Sequence, residues 1–286
     1  MDEHIIEAMG KATVKIKNGK VVEVGEPKIE YCPLFHKHRG IEKLTKEKIK
    51  ENMEFRIMDF GMCSSNRQIK MKDFLSFGIS ETLSTLLNEK LIDCAIMVCE
   101  GCGTVIVTDS EMAQGVGGRV SGLARTTILP EVVEKIGKEN VLNREIGIID
   151  QVAGIQLAIN KGYKNIAVTI VDPQEAKVIR EAEKKYNEEK ENDSIENKIN
   201  IYVFAVHSTG INNEEAKELF NYCDVVTACA SKPVRDIGEK IAIKKVGESI
   251  PIYAVTEKGK EFLELRVEKI GGMKPKKDPK LPKPLI

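Results

Sequence analysis

No excess of charge of either sign marks this sequence: 44 lysines and arginines are matched by 44 aspartates and glutamates. A chain without net charge has no bulk attraction for a nucleic-acid backbone or an anionic bilayer, so neither is expected as a partner. Long apolar runs are also missing, and none approaches the ~20 residues that a membrane-spanning helix needs. The opening Met1-Asp2-Glu3-His4 is acidic where a secretory signal is basic, which makes a cytoplasmic location the expectation. Cytoplasmic thiols are kept reduced, so the seven cysteines are expected as free thiols, ligands or core residues, not as a disulfide framework.

What is present is an ordinary globular mixture: 286 residues, 42% hydrophobic and 31% charged, enough for one large or two modest domains. Residues 13–24 hold two β-rich runs around Asn18-Gly19, a dipeptide that tolerates the positive φ of a two-residue turn, and predict a β-hairpin. Ile79, Leu83, Leu86 and Leu87 fall at helical spacing and end at Lys90, followed by an apolar strand over 94–98. Farther on, 166–171 reads as a buried strand, and Asp172-Pro173-Gln174-Glu175 supplies an N-cap, a proline at N1 and an acid at N3. Strands over 201–206, 224–228 and 252–255 then alternate with a helix over 213–220.

This alternation predicts an α/β fold. An N-terminal hairpin and mixed α/β region over 1–147 would precede a mainly parallel, doubly wound sheet over 148–270, since parallel neighbours need crossover helices. The tail over 271–286 packs five lysines and four prolines together and supports neither helix nor central strand. It is expected to be disordered or to lie as an extended arm on a partner.

Thiolates are soft ligands, and Cys99-Glu100-Gly101-Cys102 can turn both sulfurs toward one metal, with Gly101 and Gly103 allowing a tight backbone turn. Cys32 and Cys63 sit in loop-like settings upstream and could complete a four-thiol site. The competing readings are small buried hydrophobes, preferred for Cys94 and Cys223, and a redox dithiol at Cys99 and Cys102.

Gly115, Gly117 and Gly118 precede Arg119, a run whose N–H groups could approach an anion while the guanidinium grips it; a tightly packed turn explains the same glycines. Ligands of open α/β sheets bind outside the carboxyl ends of the strands. Those ends present His207, Ser208 and Thr209, then Cys229, Ser231, Lys232 and Arg235, a polar cleft suited to a small anionic or phosphorylated ligand. His207 with Cys229 could pair a base with a nucleophile.

The segments Glu30-Tyr31-Cys32-Pro33-Leu34-Phe35, Phe60-Gly61-Met62-Cys63, 114–123, Asp150-Gln151-Val152 and 227–235 resemble those of methanogenesis marker protein 8, and the likeness runs to about Gly271. Cys32, Cys63, Arg119 and Cys229 fall within these blocks. The resemblance implies an anaerobic cytosol and a link to methyl-coenzyme M reductase or its maturation. The resulting expectation is a methanogenesis accessory protein with an iron-sulfur cluster or other metal on cysteines, drawn from Cys32, Cys63, Cys99, Cys102 and Cys229. Two alternatives stand beside it: an enzyme acting on a small anionic or phosphorylated cofactor precursor, and a metal-free scaffold that captures a protein partner.

Overall fold

The computed structural model describes residues 2–73, 75, 77–118, 122–189, 198–273 and 278–286. The chain opens with three antiparallel strands, β1 (Glu3–Glu7), β2 (Thr13–Lys17) and β3 (Lys20–Val24). The β2–β3 hairpin turns on Asn18 at φ 48° and Gly19 at φ 68°, as the sequence predicts. Helices α1 (Pro33–Arg39) and α2 (Lys46–Phe60) follow. The inner sheet face of Ile6, Val14 and Ile16 packs on Ile49, Met53 and Phe60 of α2, giving a separate small core.

After α3 (Ile79–Asn88) the chain enters a seven-stranded sheet with β4 (Cys94–Cys99) and β5 (Gly103–Val107). It leaves through α4 (Ser110–Gly117) and returns to the small sheet, where β6 (Gly122–Thr126) pairs with β1 to complete the order β3-β2-β1-β6. Helices α5 (Pro130–Ile136) and α6 (Gln151–Asn160) lead to β7 (Asn165–Ile170), α7 (Pro173–Glu189), β8 (Asn200–Ala205), α8 (Asn213–Tyr222) and β9 (Val225–Thr227). The chain then forms α9 (Lys232–Ile241), the short antiparallel pair β10 (Lys244–Val246) and β11 (Ile252–Ala254), and α10 (Glu257–Lys269).

The large sheet has the order β10-β11-β9-β8-β7-β4-β5. Its strands alternate strictly between two cores: Ile166, Val168 and Ile170 of β7 face α6, α7 and α8, whereas Ala167 faces the layer that contains α3, α4 and α10. Helices therefore cover both faces. The expected mainly parallel sheet needs correction to a mixed one, because only β4, β7, β8 and β9 pair in parallel. At one edge β5 pairs antiparallel with β4; at the other β11 runs against both β9 and β10, so β10 shares the direction of the parallel strands. The cause is connection length: the tight β4–β5 turn and the short β10–β11 loop leave too little chain for a crossover, and β11 folds back from β10 into the place beside β9.

The large sheet takes β4 and β5 from before Gly147 and its other strands from after it. Residues 278–286 lie on the chain's own surface, with Lys283 bridged to Tyr31 and Ile286 bonded to Ala230. Among the described residues no helix is long and apolar enough to cross a membrane.

Candidate active site at the strand ends

A cavity of about 930 Å³ lies between the small sheet and the carboxyl ends of the parallel strands. Val98 marks the end of β4, Thr169 and Asp172 that of β7, His207 and Thr209 that of β8, and Thr227 and Cys229 that of β9. The opposite wall comes from Lys11, Cys32, Phe35, Arg56 and Phe60. A mostly apolar concavity of this size with a few polar groups is typical of small-molecule sites.

His207 and Cys229, each just beyond a strand, both hold positive φ, 56° and 46°. Left-handed backbone is uncommon outside glycine and costs about 1–3 kcal/mol, so it persists only where surrounding contacts enforce it. Those contacts are explicit. Ser208 Oγ donates to the Thr227 carbonyl at 2.6 Å, the Ala230 N–H donates to Thr209 Oγ1 at 3.1 Å, and Arg235 Nη2 donates to the Cys229 carbonyl at 2.6 Å. The main-chain N–H groups of Ser208 and His207 point at the Cys229 sulfur. Burial nevertheless pushes this thiol up to about 11, which keeps it protonated at neutral pH. Burial, with Lys11 and Arg56 adding positive charge, presses His207 down to about 4 and keeps its imidazole neutral. Glu175, on the same cavity, is raised by burial and by Asp172 and Asp150.

Cys32 caps the N-terminus of α1 on the facing wall, and the N–H groups of Phe35 and Leu34 oppose the rise that burial imposes on its thiol. The C-terminal segment joins the two cysteine-bearing loops. Lys283 exchanges backbone hydrogen bonds with Tyr31 at 3.0 and 3.1 Å, while Ile286 donates to Ala230 at 2.9 Å and accepts from Lys232 at 3.0 Å.

Cys63, Cys99 and Cys102 are elsewhere, fully buried around an ion pair between Arg67 and Glu100 at 2.6 Å. The Cys99–Cys102 turn closes with the Cys102 N–H on the Cys99 carbonyl at 3.1 Å, and Gly101 and Gly103 take the φ values 87° and 78° that the turn demands. A hydrogen bond to Cys102, then burial, hold the Cys99 thiol well above its ordinary range, and burial does the same to Cys63. The five candidate ligands thus fall into two groups. Among the described residues no three histidine, cysteine or acidic side chains converge as a metal-holding group. Cys94 and Cys223 are core residues under α6 and α8.

The glycine run is helical through Gly117. A Cβ on Gly115 would stand 1.9 Å from the Ile69 carbonyl oxygen, so this glycine permits close packing, while Gly117 and Gly118 line the cavity. Arg119 lies outside the described residues. Ser231 is the buried N-cap of α9, and Lys232 pairs with Asp236 on that helix's exposed side. Sequence reasoning missed Lys11 and Ser249, which reach the cavity from a strand connection and from the β10–β11 loop. Neither belongs to a motif, and only the tertiary fold brings Lys11 to His207 and Ser249 to the Cys229 loop.

The family described as an uncharacterized protein conserved in archaea, DUF2099, matches residues 4–268. An uncharacterized protein of Methanocaldococcus jannaschii is 45% identical over 266 residues, covering 92% of this chain and 90% of that protein. The family match runs from β1 into α10 and includes every cavity residue named above, and the chain belongs to the archaeal DUF2099 family.

Proposed function

We propose that this protein is a cysteine-dependent enzyme acting on a small organic anion held in the strand-end cavity. The observation that carries the reading is the pair His207 and Cys229, both in left-handed conformation at adjacent strand ends on the wall of a ligand-sized cavity. In this reading the Cys229 sulfur bonds to the acyl carbon of an activated substrate such as a thioester, the bond from that carbon to the leaving sulfur breaks, and the Cys229 proton ends on the departing thiol. The N–H groups of His207 and Ser208, which point at the Cys229 sulfur, stabilise the negative charge that builds on it as its proton leaves. Lys11 and Arg56 supply the positive field that favours an anionic substrate. The test is a panel of carboxylates, phosphate monoesters and thioesters scored by thermal stabilisation and turnover. Substrate turnover lost in Cys229→Ala, with ligand stabilisation retained, supports the enzyme. Turnover unchanged in that variant overturns it.

A second reading uses the same wall. Cys32 and Cys229 come from distant segments yet face one cavity, so a metal or iron-sulfur centre could bind there with non-protein ligands completing the set. The resemblance to methanogenesis marker protein 8 would place such a centre in the assembly or activation of methyl-coenzyme M reductase. Iron and sulfide in matching amounts after anaerobic purification, lost in Cys32→Ser and Cys229→Ser, would favour it; metal-free protein after reconstitution would end it.

A further inference from the structure

Among the described residues six besides glycine hold left-handed backbone: Lys11, Asn18, Cys63, Lys90, His207 and Cys229. Asn18 turns the β2–β3 hairpin and Lys90 follows α3, whereas Lys11, His207 and Cys229 all line the strand-end cavity. This backbone region is unfavourable for residues other than glycine, asparagine and aspartate, and such strain gathers at functional sites. A lysine at φ 60° in the β1–β2 connection therefore has its reason in the side chain. Its main chain is fixed by the Ala8 N–H on the Ala12 carbonyl at 2.8 Å and by its own N–H on the Ala8 carbonyl at 3.1 Å. The side chain crosses from the small sheet to the strand ends, where the ammonium donates to the Thr209 carbonyl at 2.5 Å. Residues 207–209 thus hold both groups: the N–H groups of His207 and Ser208 point at the Cys229 sulfur, and the Thr209 carbonyl holds the Lys11 ammonium. Thr209 Oγ1 also accepts from the N–H of Ala230, beside Cys229, at 3.1 Å.

The ammonium has donors to spare. Thr209 takes one of its three, and Glu7 Oε2 stands at 3.9 Å, outside hydrogen-bond reach. The Lys11 side chain keeps 20% of its surface exposed and lines the cavity. The charges that act on His207 are those of Lys11 and Arg56, both positive, so Glu7 does not cancel the field at the site. We propose that Lys11 is a specificity-determining residue that binds the anionic group of the substrate, on the same small molecule as the carbon that Cys229 attacks. Three residues of extended chain span at most about 11 Å, which sets the scale of the separation between charge and reacting carbon. The inference deepens the reading of Cys229 as a nucleophile toward an organic anion and rests on it. A compact ammonium selects for charge and not for the planar geometry that a guanidinium matches. A Lys11 that only ties the small sheet to Thr209 would not discriminate by charge.

The test uses the full chain and two alkylating reagents of similar size, anionic iodoacetate and neutral iodoacetamide, with labelling at Cys229 followed by mass spectrometry. The ratio of the iodoacetate rate to the iodoacetamide rate is expected to be at least tenfold higher in the folded protein than at the same cysteine in urea. Lys11→Met should lower the iodoacetate rate at least tenfold and change the iodoacetamide rate less than twofold. Lys11→Arg, which keeps the charge, should retain most of the iodoacetate rate, and circular dichroism checks that both variants fold. The same ratio in folded and unfolded wild type, or an equal loss with both reagents in Lys11→Met, would overturn the anchor. A binding readout separates the two claims. Hexanoate should raise the Tm of wild type and of Cys229→Ala more than hexanamide does, and Lys11→Met should abolish that difference. This result with Cys229 inert to both reagents keeps the anchor and removes the nucleophile. Iodoacetamide labelling of Cys229 with no preference for charge in either readout does the reverse.

Discussion

Replacing Arg67 with methionine should destabilise the protein more than most single changes, and the structure sets the scale. Arg67 and Glu100 are both fully buried; Arg67 also donates to the carbonyls of Gln68 and Gly115 and lies 5.1 Å over the Phe60 ring. Glu100 Oε2 has no partner even with arginine present. Removing the cation leaves a buried carboxylate and two carbonyls unmet, a loss of about 3–5 kcal/mol. For a chain of this length that corresponds to roughly 2–4 °C per kcal/mol, or a fall in Tm of about 6–20 °C. Arg67→Met with Glu100→Leu removes both charges and should recover most of the loss, because a buried pair gains little net stability over apolar packing. Urea unfolding of wild type, both single variants and the double variant gives the coupling directly. Single variants that each lose under ~1 kcal/mol, or losses that simply add, would refute the assignment of a desolvated, mutually dependent pair.

Protonation of His207 should appear in the pH profile of stability. Its folded value of about 4 lies below the ordinary 6.5, so the unfolded chain takes up the proton first as pH falls. Up to about 3 kcal/mol present above pH 6.5 is then lost between 6.5 and 4, and His207→Gln should flatten that interval in denaturation curves. Gly115→Ala should lower stability by at least ~2 kcal/mol, because the added carbon meets the Ile69 backbone, and unchanged thermal unfolding would contradict that packing. Ending the chain after Leu281 removes the bonds of Lys283 to Tyr31 and of Ile286 to Ala230. Alkylation of Cys32 and Cys229 should accelerate about tenfold, since both loops lose their tether and open locally more often; equal rates would show that the segment holds neither.

Local chemistry was the legible part of this fold. Asn18-Gly19 specified the hairpin, Asp172 accepts from the Gln174 N–H at 2.9 Å where a cap was expected, and the β-branched runs became β7 and β8. Strand direction was not legible at the sheet edges, because 252–255 reads the same whether it pairs parallel or antiparallel. Helix α2 was missed because Lys46–Phe60 is mostly polar and buries only a narrow stripe of Ile49, Met53 and Phe60 against the small sheet. Part of the site could be read from strand ends, which located His207 and Cys229. The roles of Ser208 and Ser231 as braces, and the convergence of Lys11 and Ser249, depend on pairings between residues far apart in sequence. Which cysteines share a site also depends on the fold, which sends Cys32 and Cys229 to the cavity and Cys63, Cys99 and Cys102 into a buried cluster around Arg67 and Glu100.

The most direct test of the central claim is the rate of iodoacetamide labelling at each of the seven cysteines, followed by mass spectrometry from pH 7 to pH 10. Cys229, half-buried where the other six cysteines are buried, should react first, at least tenfold ahead of the buried thiols, with a rate that keeps rising toward its value of about 11. A Cys229 that stays unlabelled in the folded protein, or reacts no faster than Cys63, Cys99 and Cys102, would contradict its placement as an accessible nucleophile.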